Sequence, residues 1–245
     1  MTYLGLMTMS ILVGFSFFTS ALSAATGMGG GVLLFTVMSL YFPINVIIPI
    51  HGVIQFFNNF LTLTFLRKHL KKSLMLPFIT GSIPGILLAT IVVNKIITTD
   101  APQMIILGLI LYSLFRPKRL PDLELKHKNF IWVGLITGFL GIIAGAIDPI
   151  LAPFFVRKDL NKEEVIANKA AMQAIVHFAK IPVFIYLGFD YLPFISFCLI
   201  TNLACFFGTQ FGIYMLQRMT QEVFLKVFKL ALSATGLRMA YKLFF

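Results

Sequence analysis

Residues 165–187 read VIANKAAMQAIVHFAKIPVFIYL, an apolar stretch of membrane-crossing length that carries a regular polar series. Lys169, Gln173, His177 and Lys180 recur at spacings of four, four and three. At about 100° per residue they occupy one arc of roughly 80° on a helix. Ionisable side chains inside such a span are costly to hold there, and they mark a functional path. The device is present twice. Subtracting 118 from each number gives His51, Gln55, Asn59 and Thr62, a second stripe at the same spacing in the apolar stretch Val46–Leu66. One polar, partly cationic stripe built twice points to a transporter for a small anion.

The composition agrees with a polytopic membrane protein. Of 245 residues 58% are hydrophobic and only 12% charged, with a mean hydropathy of +0.92; a soluble domain carries about a quarter charged residues. Phe occupies 27 positions, too many for one soluble core to hide. The formal charge of +11 sits in short segments between apolar runs, which is a topology signal rather than a nucleic-acid footprint. Cys198 and Cys205 lie in one apolar run and imply neither a disulfide framework nor a ligand set. Leu22–Ala25 resembles a small-residue cleavage site, but Met1–Thr26 contains no Lys or Arg. The basic region of a signal peptide is missing, so this stretch reads as the first membrane segment.

Runs of spanning length, about 20 residues, are Gly5–Ala25, Val46–Leu66, Ser73–Val93, Asn129–Ala144 with its extension, Val165–Leu187, Leu192–Leu216 and Val223–Leu243. Gln103–Phe115 is shorter and must tilt or thin the bilayer. Val32–Phe42 and Ile150–Val156 are too short to span, and each follows a break, Gly27–Gly31 in one half and Gly145–Pro149 in the other. Ser16, Ser20, Ser23 and Gly27 correspond at the same 118-residue offset to Gly134, Gly138, Gly141 and Gly145, small residues that permit close helix approach. The expected fold is an all-α integral membrane protein of two inverted repeats, each of about five helical segments with a broken, re-entrant helix pair. The repeats are residues 1–115 and 129–245, joined by a basic linker at 116–128.

Lys and Arg placement gives the orientation. Arg67, Lys68, Lys71 and Lys72, the linker cations Arg116 to Lys128, then Arg157, Lys158 and Lys162, and finally Arg218 mark cytoplasmic connections. Weakly basic connections near Lys95 and Asp190 fall outside. Each broken pair must then return to the side it entered from, the first starting outside and the second inside.

Several residues are candidates for contact with an anion. Gly29, Gly30 and Gly31 can expose backbone N–H groups at the start of a half-helix whose partial positive charge suits a carboxylate or sulfonate; the alternative is a kink for tight packing. Asp148-Pro149 reads as an N-cap followed by proline at the first helical position, and Asp148 can also titrate in proton coupling. Lys169 and Lys180 stand about 16 Å apart along a helix axis and cannot both touch one small anion. Lys169 can snorkel as an anchor, which leaves Lys180 as the expected centre of attraction. His177 and His51 can donate or titrate. Gln55, Asn59 and Gln173 can orient oxygens or simply join helices. No acidic or sulfur ligand accompanies the histidines at metal spacing, and no cofactor or metal is expected.

These residues resemble the TauE/SafE family of sulfite and organosulfonate exporters. The resemblance rests on Gly27–Gly31, on Pro49–Gln55 with Asn58-Asn59, on Gly145–Phe155 (GAIDPILAPFF), and on Asn168–Gln173 with His177, Lys180 and Gly188–Tyr191. It extends over nearly the whole chain. It implies a multi-pass transporter of small sulfur-containing or carboxylate anions in the bacterial inner membrane, and a homodimer. Two departures stand out. Thr62 occupies a place where related sequences commonly carry Arg, and Ile147, Asp148 and Pro149 replace the later glycines of the second break.

The function expected is secondary transport of a sulfoacetate- or sulfite-like anion outward, its partners being that anion and the surrounding lipid. A passive anion channel is the alternative, and an intramembrane enzyme using His51, His177 and Asp148 a more distant one. The lopsided distribution of lysines places the expected anion near Lys180 and His177.

Overall fold

A computed structural model describes residues 6–96, 104, 107, 108, 111, 125–155, 157 and 159–244. Most of the short run Gln103–Phe115 and of the linker lies outside the described residues. All regular structure among the described residues is helical. In chain order the α-helices are α1 (Leu6–Thr26), α2 (Gly30–Met38), α3 (Ile44–Leu66), α4 (Lys72–Ile96), α5 (Phe130–Ala144), α6 (Asp148–Leu151), α7 (Lys162–Tyr186), α8 (Ile195–Arg218) and α9 (Gln221–Phe244).

Five described helical segments are long and apolar enough to cross a membrane: Met7–Thr26, Ile44–His69, Lys72–Val93, His127–Ala144 and Leu192–Arg218. This is a multi-pass membrane protein. Its outer faces are apolar, as with Leu87 and Ile91 on α4 and Leu203 and Phe207 on α8, the reverse of a soluble surface. Helix α7 is more polar, and it lies at the centre, with Lys169 and Lys180 both fully enclosed.

Local chemistry sets the ends of α7. Asn161 accepts from the Glu164 N–H at 2.8 Å, and Glu164 accepts from the Asn161 N–H at 3.0 Å. This reciprocal capping box starts the helix three residues before the apolar run. At the other end Gly188 takes φ +87°, and the Phe189 N–H reaches the Phe184 carbonyl at 2.8 Å. That is a Schellman termination, which needs the left-handed residue glycine supplies.

Helix directions follow from which residues meet. Helices α1 and α8 run parallel: Gly208 packs on the Phe17 carbonyl, and Gly212 on that of Ala21. Helices α4 and α5 also run parallel, Gly81 packing on Ile131 and Gly85 on Leu135. Leu135 stands 118 residues after Phe17, so the two interfaces are built alike. Helices α3 and α7 cross antiparallel. The His51 and His177 rings lie 5.8 Å apart, while Asn59 and Thr62 share a cavity with Lys169 and Gln173.

The basic connections gather at one end of the bundle. Lys71 pairs with Glu164 at 3.2 Å, and its N–H donates to the Asn168 side chain. Arg157 donates to the Leu125 carbonyl and pairs with Asp159, holding that carboxyl below its ordinary pKa. Lys162 donates to the carbonyls of Leu216 and Met219. At the opposite end the Phe42 ring lies edge-on to Phe194 and tilted against Phe197. Helix α5 leaves from the basic end at residues 127–129, and after the second break the chain returns there, with Phe155 against Phe130. Helix α1 leaves from the opposite end; after the first break the chain returns to Phe42, in the cluster that also holds Met9 and Leu12.

Candidate functional site

The antiparallel crossing of α3 and α7 turns the two stripes toward each other. His51, Gln55, Asn59, Thr62, Lys169, Gln173, His177 and Lys180 are all buried, none more than 4% exposed. Both breaks reach the same region. Gly27 and Gly29 take φ +72° and +86°, and Gly145 takes +78°, values that favour glycine. A helix that stops inside a membrane leaves carbonyls without partners, and the α7 lysines supply donors. Lys169 Nζ donates to the Gly27 carbonyl, and Lys180 Nζ to that of Gly145. His51 Nε2 lies 2.8 Å from the Gly31 carbonyl oxygen. Among the described residues, the Nδ1 atoms of His51 and His177 have no hydrogen-bond partner.

Asp148 does not act as the expected cap. It is the first helical residue of α6, Ile147 is the flanking residue, and no side-chain cap bond forms. The carboxylate points instead toward α7. Gln173 Nε2 donates to Asp148 Oδ1, and Lys169 Nζ stands 3.6 Å from the same oxygen. On α7 the carboxylate finds two partners, one of them a full positive charge, where the cap would offer a neutral backbone N–H. Pro149 is the second residue of α6, one place later than expected but still within the first turn.

The glycines divide by role. A Cβ built on Gly30 would overlap the Thr19 carbonyl oxygen and sit 2.8 Å from Ser23 Cβ. Gly30 is therefore the point where α2 packs on α1. The Gly29 carbonyl accepts from the Leu33 N–H at 2.9 Å. Gly31 faces the site: a Cβ there would stand 3.1 Å from Asp148 Oδ2 and 3.4 Å from the Gln55 amide. An anion at Gly31 would meet that carboxylate, so the expected N–H cradle at Gly29–Gly31 does not form a purely attractive surface.

A cavity of about 190 Å³, its open mouth included, lies between α3, α7 and the first break. Ser23, Asn59, Thr62, Lys169 and Gln173 supply its polar lining. Its enclosed part has room for about one water, so a sulfite-sized solute requires it to widen. Lys180, His177 and His51 do not line it. Where the sequence placed the anion beside Lys180, this cavity among the described residues is beside Lys169. The Lys180 stem fills the gap over Gly52, whose Cβ would stand 3.2 Å from Lys180 Cδ. Among the described residues, no three His, Cys, Asp or Glu side chains gather to hold a metal ion.

A family model described as Sulfite exporter TauE/SafE matches residues 12–239. The chain belongs to the TauE/SafE family. No curated protein and no solved structure matches it significantly. As a TauE/SafE protein it is a membrane transporter of the sulfite and organosulfonate exporter type.

Two participants of this TauE/SafE site escaped sequence reasoning. Phe228 of α9 lies 5.3 Å from Lys169 Nζ, beneath the ammonium, a cation–π contact. Thr209 of α8 donates to Asn58 at 2.7 Å, fixing the face of α3 beside the stripe. Neither carries a local signal. Phe228 is one Phe among 27, and the small hydroxyl of Thr209 reads as a packing residue.

Proposed function

We propose that this protein is a secondary transporter that exports a small sulfur-containing organic anion, sulfoacetate- or sulfite-like, across the bacterial inner membrane. The observation that carries this reading is the cavity whose lining joins the Lys169 ammonium to the neutral amides of Asn59 and Gln173 and the hydroxyl of Ser23. One cation with neutral hydrogen-bond donors suits a compact oxyanion, whose several oxygens need several donors.

The architecture is read as two inverted repeats, residues 1–115 and 129–245, with the 116–128 linker in the cytoplasm. The antiparallel α3–α7 crossing, the matched parallel interfaces and the opposite starting ends of α1 and α5 support it. Transport then results from movement of part of each repeat around a central site. The site roles are assigned accordingly: Lys169 attracts the anion, and Asn59, Gln55 and Gln173 orient it. On the opposite flank of the crossing, Lys180 ties down the second break through the Gly145 carbonyl, and His51 the first through that of Gly31. The assembly is read as a homodimer.

Purified protein in liposomes tests this directly. Sulfite, sulfoacetate, taurine, thiosulfate and simple carboxylates are offered, and flux is followed with chemical analysis of the product. Saturable flux of an unchanged sulfur oxyanion is expected. Flux without saturation would mean a channel, and a chemically altered product an enzyme.

Orientation has its own test. Lys128 and Asp190 are exposed at opposite ends of the bundle. In intact cells, a cysteine replacing Lys128 is expected to resist an impermeant thiol reagent added outside, while one replacing Asp190 reacts. The reverse pattern would overturn the topology. Cys198 and Cys205 are buried and contribute little background.

A further inference from the structure

We propose that Asp148 is a tethered counter-anion for Lys169, and that the transported anion replaces it, so that each anion bound places one proton on Asp148. The inference rests on the export reading above and adds to it a coupling ion and the residue that carries it.

The geometry is specific to one half of the molecule. Lys169 Nζ lies 3.6 Å from Asp148 Oδ1, with side-chain exposures of 1% and 5%. The same lysine lines the cavity. Gln173, which also lines the cavity, donates to the same carboxylate oxygen. Both groups that would receive an anion are thus already engaged by an internal one. At the 118-residue offset the counterpart of Asp148 is Gly30 and that of Lys169 is His51. Gly30 has no room for a side chain, so the charged pair exists once.

Charge balance dictates the protonation. With the cavity empty, Lys169 and Asp148 neutralise each other. An anion drawn to Lys169 would leave two negative groups sharing one ammonium at a buried site. An uncompensated buried charge costs several kcal/mol, so a proton moving from water to the Asp148 carboxylate is the less costly outcome. The product is a neutral carboxylic acid beside an anion–ammonium pair, and the charge of the site is unchanged. Other groups around Asp148 do not substitute for it. Helix α3 presents the neutral Gln55 near Asp148, α2 presents Gly31 without a side chain, and α9 presents Phe228 beneath the ammonium. Lys180 starts about 16 Å further along α7 and is bonded to the Gly145 carbonyl; His51 is already engaged at the carbonyl of Gly31, beside Asp148, and His177 lies against the His51 ring. After release, Asp148 loses its proton and again pairs with Lys169, so the empty carrier returns without exposing an unpaired cation.

Two signatures are specific to this exchange. Proton and anion binding are reciprocal, so affinity rises as pH falls, by up to about tenfold per pH unit for one linked proton. Calorimetric titration of the detergent-solubilised full chain with sulfite, thiosulfate, methanesulfonate and sulfoacetate, in buffers of different ionisation enthalpy, counts the protons taken up. The ligand's own titration is subtracted. Wild type is expected to take up about one proton per anion. Asp148→Asn combined with Lys169→Arg, whose guanidinium keeps its charge without a partner, is expected to take up none and to bind with pH-independent affinity, at least about tenfold tighter than the Lys169→Arg single variant at alkaline pH. Asp148→Glu, which keeps the carboxylate, should restore uptake, and this separates a titrating role from a packing role. In liposomes the same double variant should raise the ratio of anion exchange to net efflux at least about tenfold, because its empty carrier carries an unpaired guanidinium. Binding by wild type without proton uptake, or an Asp148→Asn/Lys169→Arg protein that still takes up a proton, would overturn the proposal while leaving the export reading intact. Failure of every anion to bind would remove both.

Discussion

Replacing Lys169 with Ala is expected to reduce anion flux at least about 100-fold, the equivalent of roughly 3 kcal/mol of lost anion stabilisation. Lys169 is the cation that lines the cavity, and the neutral donors around it cannot supply the missing charge. The substitution also leaves Asp148 buried without its partner, and breaking a buried pair from one side costs on the order of 3–5 kcal/mol of stability. Loss of flux alone is therefore ambiguous. The double variant Lys169→Ala/Asp148→Asn removes the orphaned charge and should recover much of the thermal stability without recovering flux. Lys180→Ala loses the bond to the Gly145 carbonyl and the packing over Gly52, with a smaller effect on anion binding. The reverse ranking, binding abolished in Lys180→Ala and retained in Lys169→Ala, would place the anion at the other flank of the crossing.

The second large effect concerns the parallel interfaces. Gly208→Leu and Gly85→Leu should each destabilise the protein by about 3 kcal/mol or more, at the upper end of overpacking costs. In each case the new Cβ overlaps a backbone carbonyl oxygen, of Phe17 and of Leu135 respectively. A backbone atom cannot swing aside as the tip of a side chain can, so two whole helices must separate. Because Phe17 and Leu135 are equivalent at the 118-residue offset, the two variants should lose similar stability in thermal unfolding in detergent. Gly14→Ala is the control, since nothing lies within 4 Å of a Cβ there and alanine favours a helix by up to about 1 kcal/mol over glycine. A tolerated Gly208→Leu would contradict the close α1–α8 approach. Markedly unequal losses would contradict the equivalence of the interfaces.

Much of this architecture is legible in the chain. The polar stripes, the two glycine-marked breaks and the basic connections are periodic or compositional, and such signals survive in one dimension because a helix maps fixed spacings onto one face. The extended start of α7 is missed by hydropathy alone, since Lys162, Glu163 and Glu164 are polar; only the Asn161–Glu164 box reveals it. Asp148 illustrates the converse. Its position before proline suggests a cap, yet the carboxylate turns to Lys169 and Gln173, residues more than 20 positions away. Local sequence carries the cap preference but not the identity of a distant competitor.

The same distinction separates the two lysines. The amino-acid sequence by itself determines that this is a helical TauE/SafE membrane protein, that its polar residues occupy one face of each of two related helices, and that two lysines lie on one of them. Which lysine adjoins open space was decided by packing between distant segments. The Lys180 stem fills the gap above Gly52, while Lys169 borders the space left between Asn59, Thr62 and the first break. The periodicity of one helix gives the direction of a side chain about its own axis. What fills the space in front of that side chain depends on neighbours brought there from over 100 residues away.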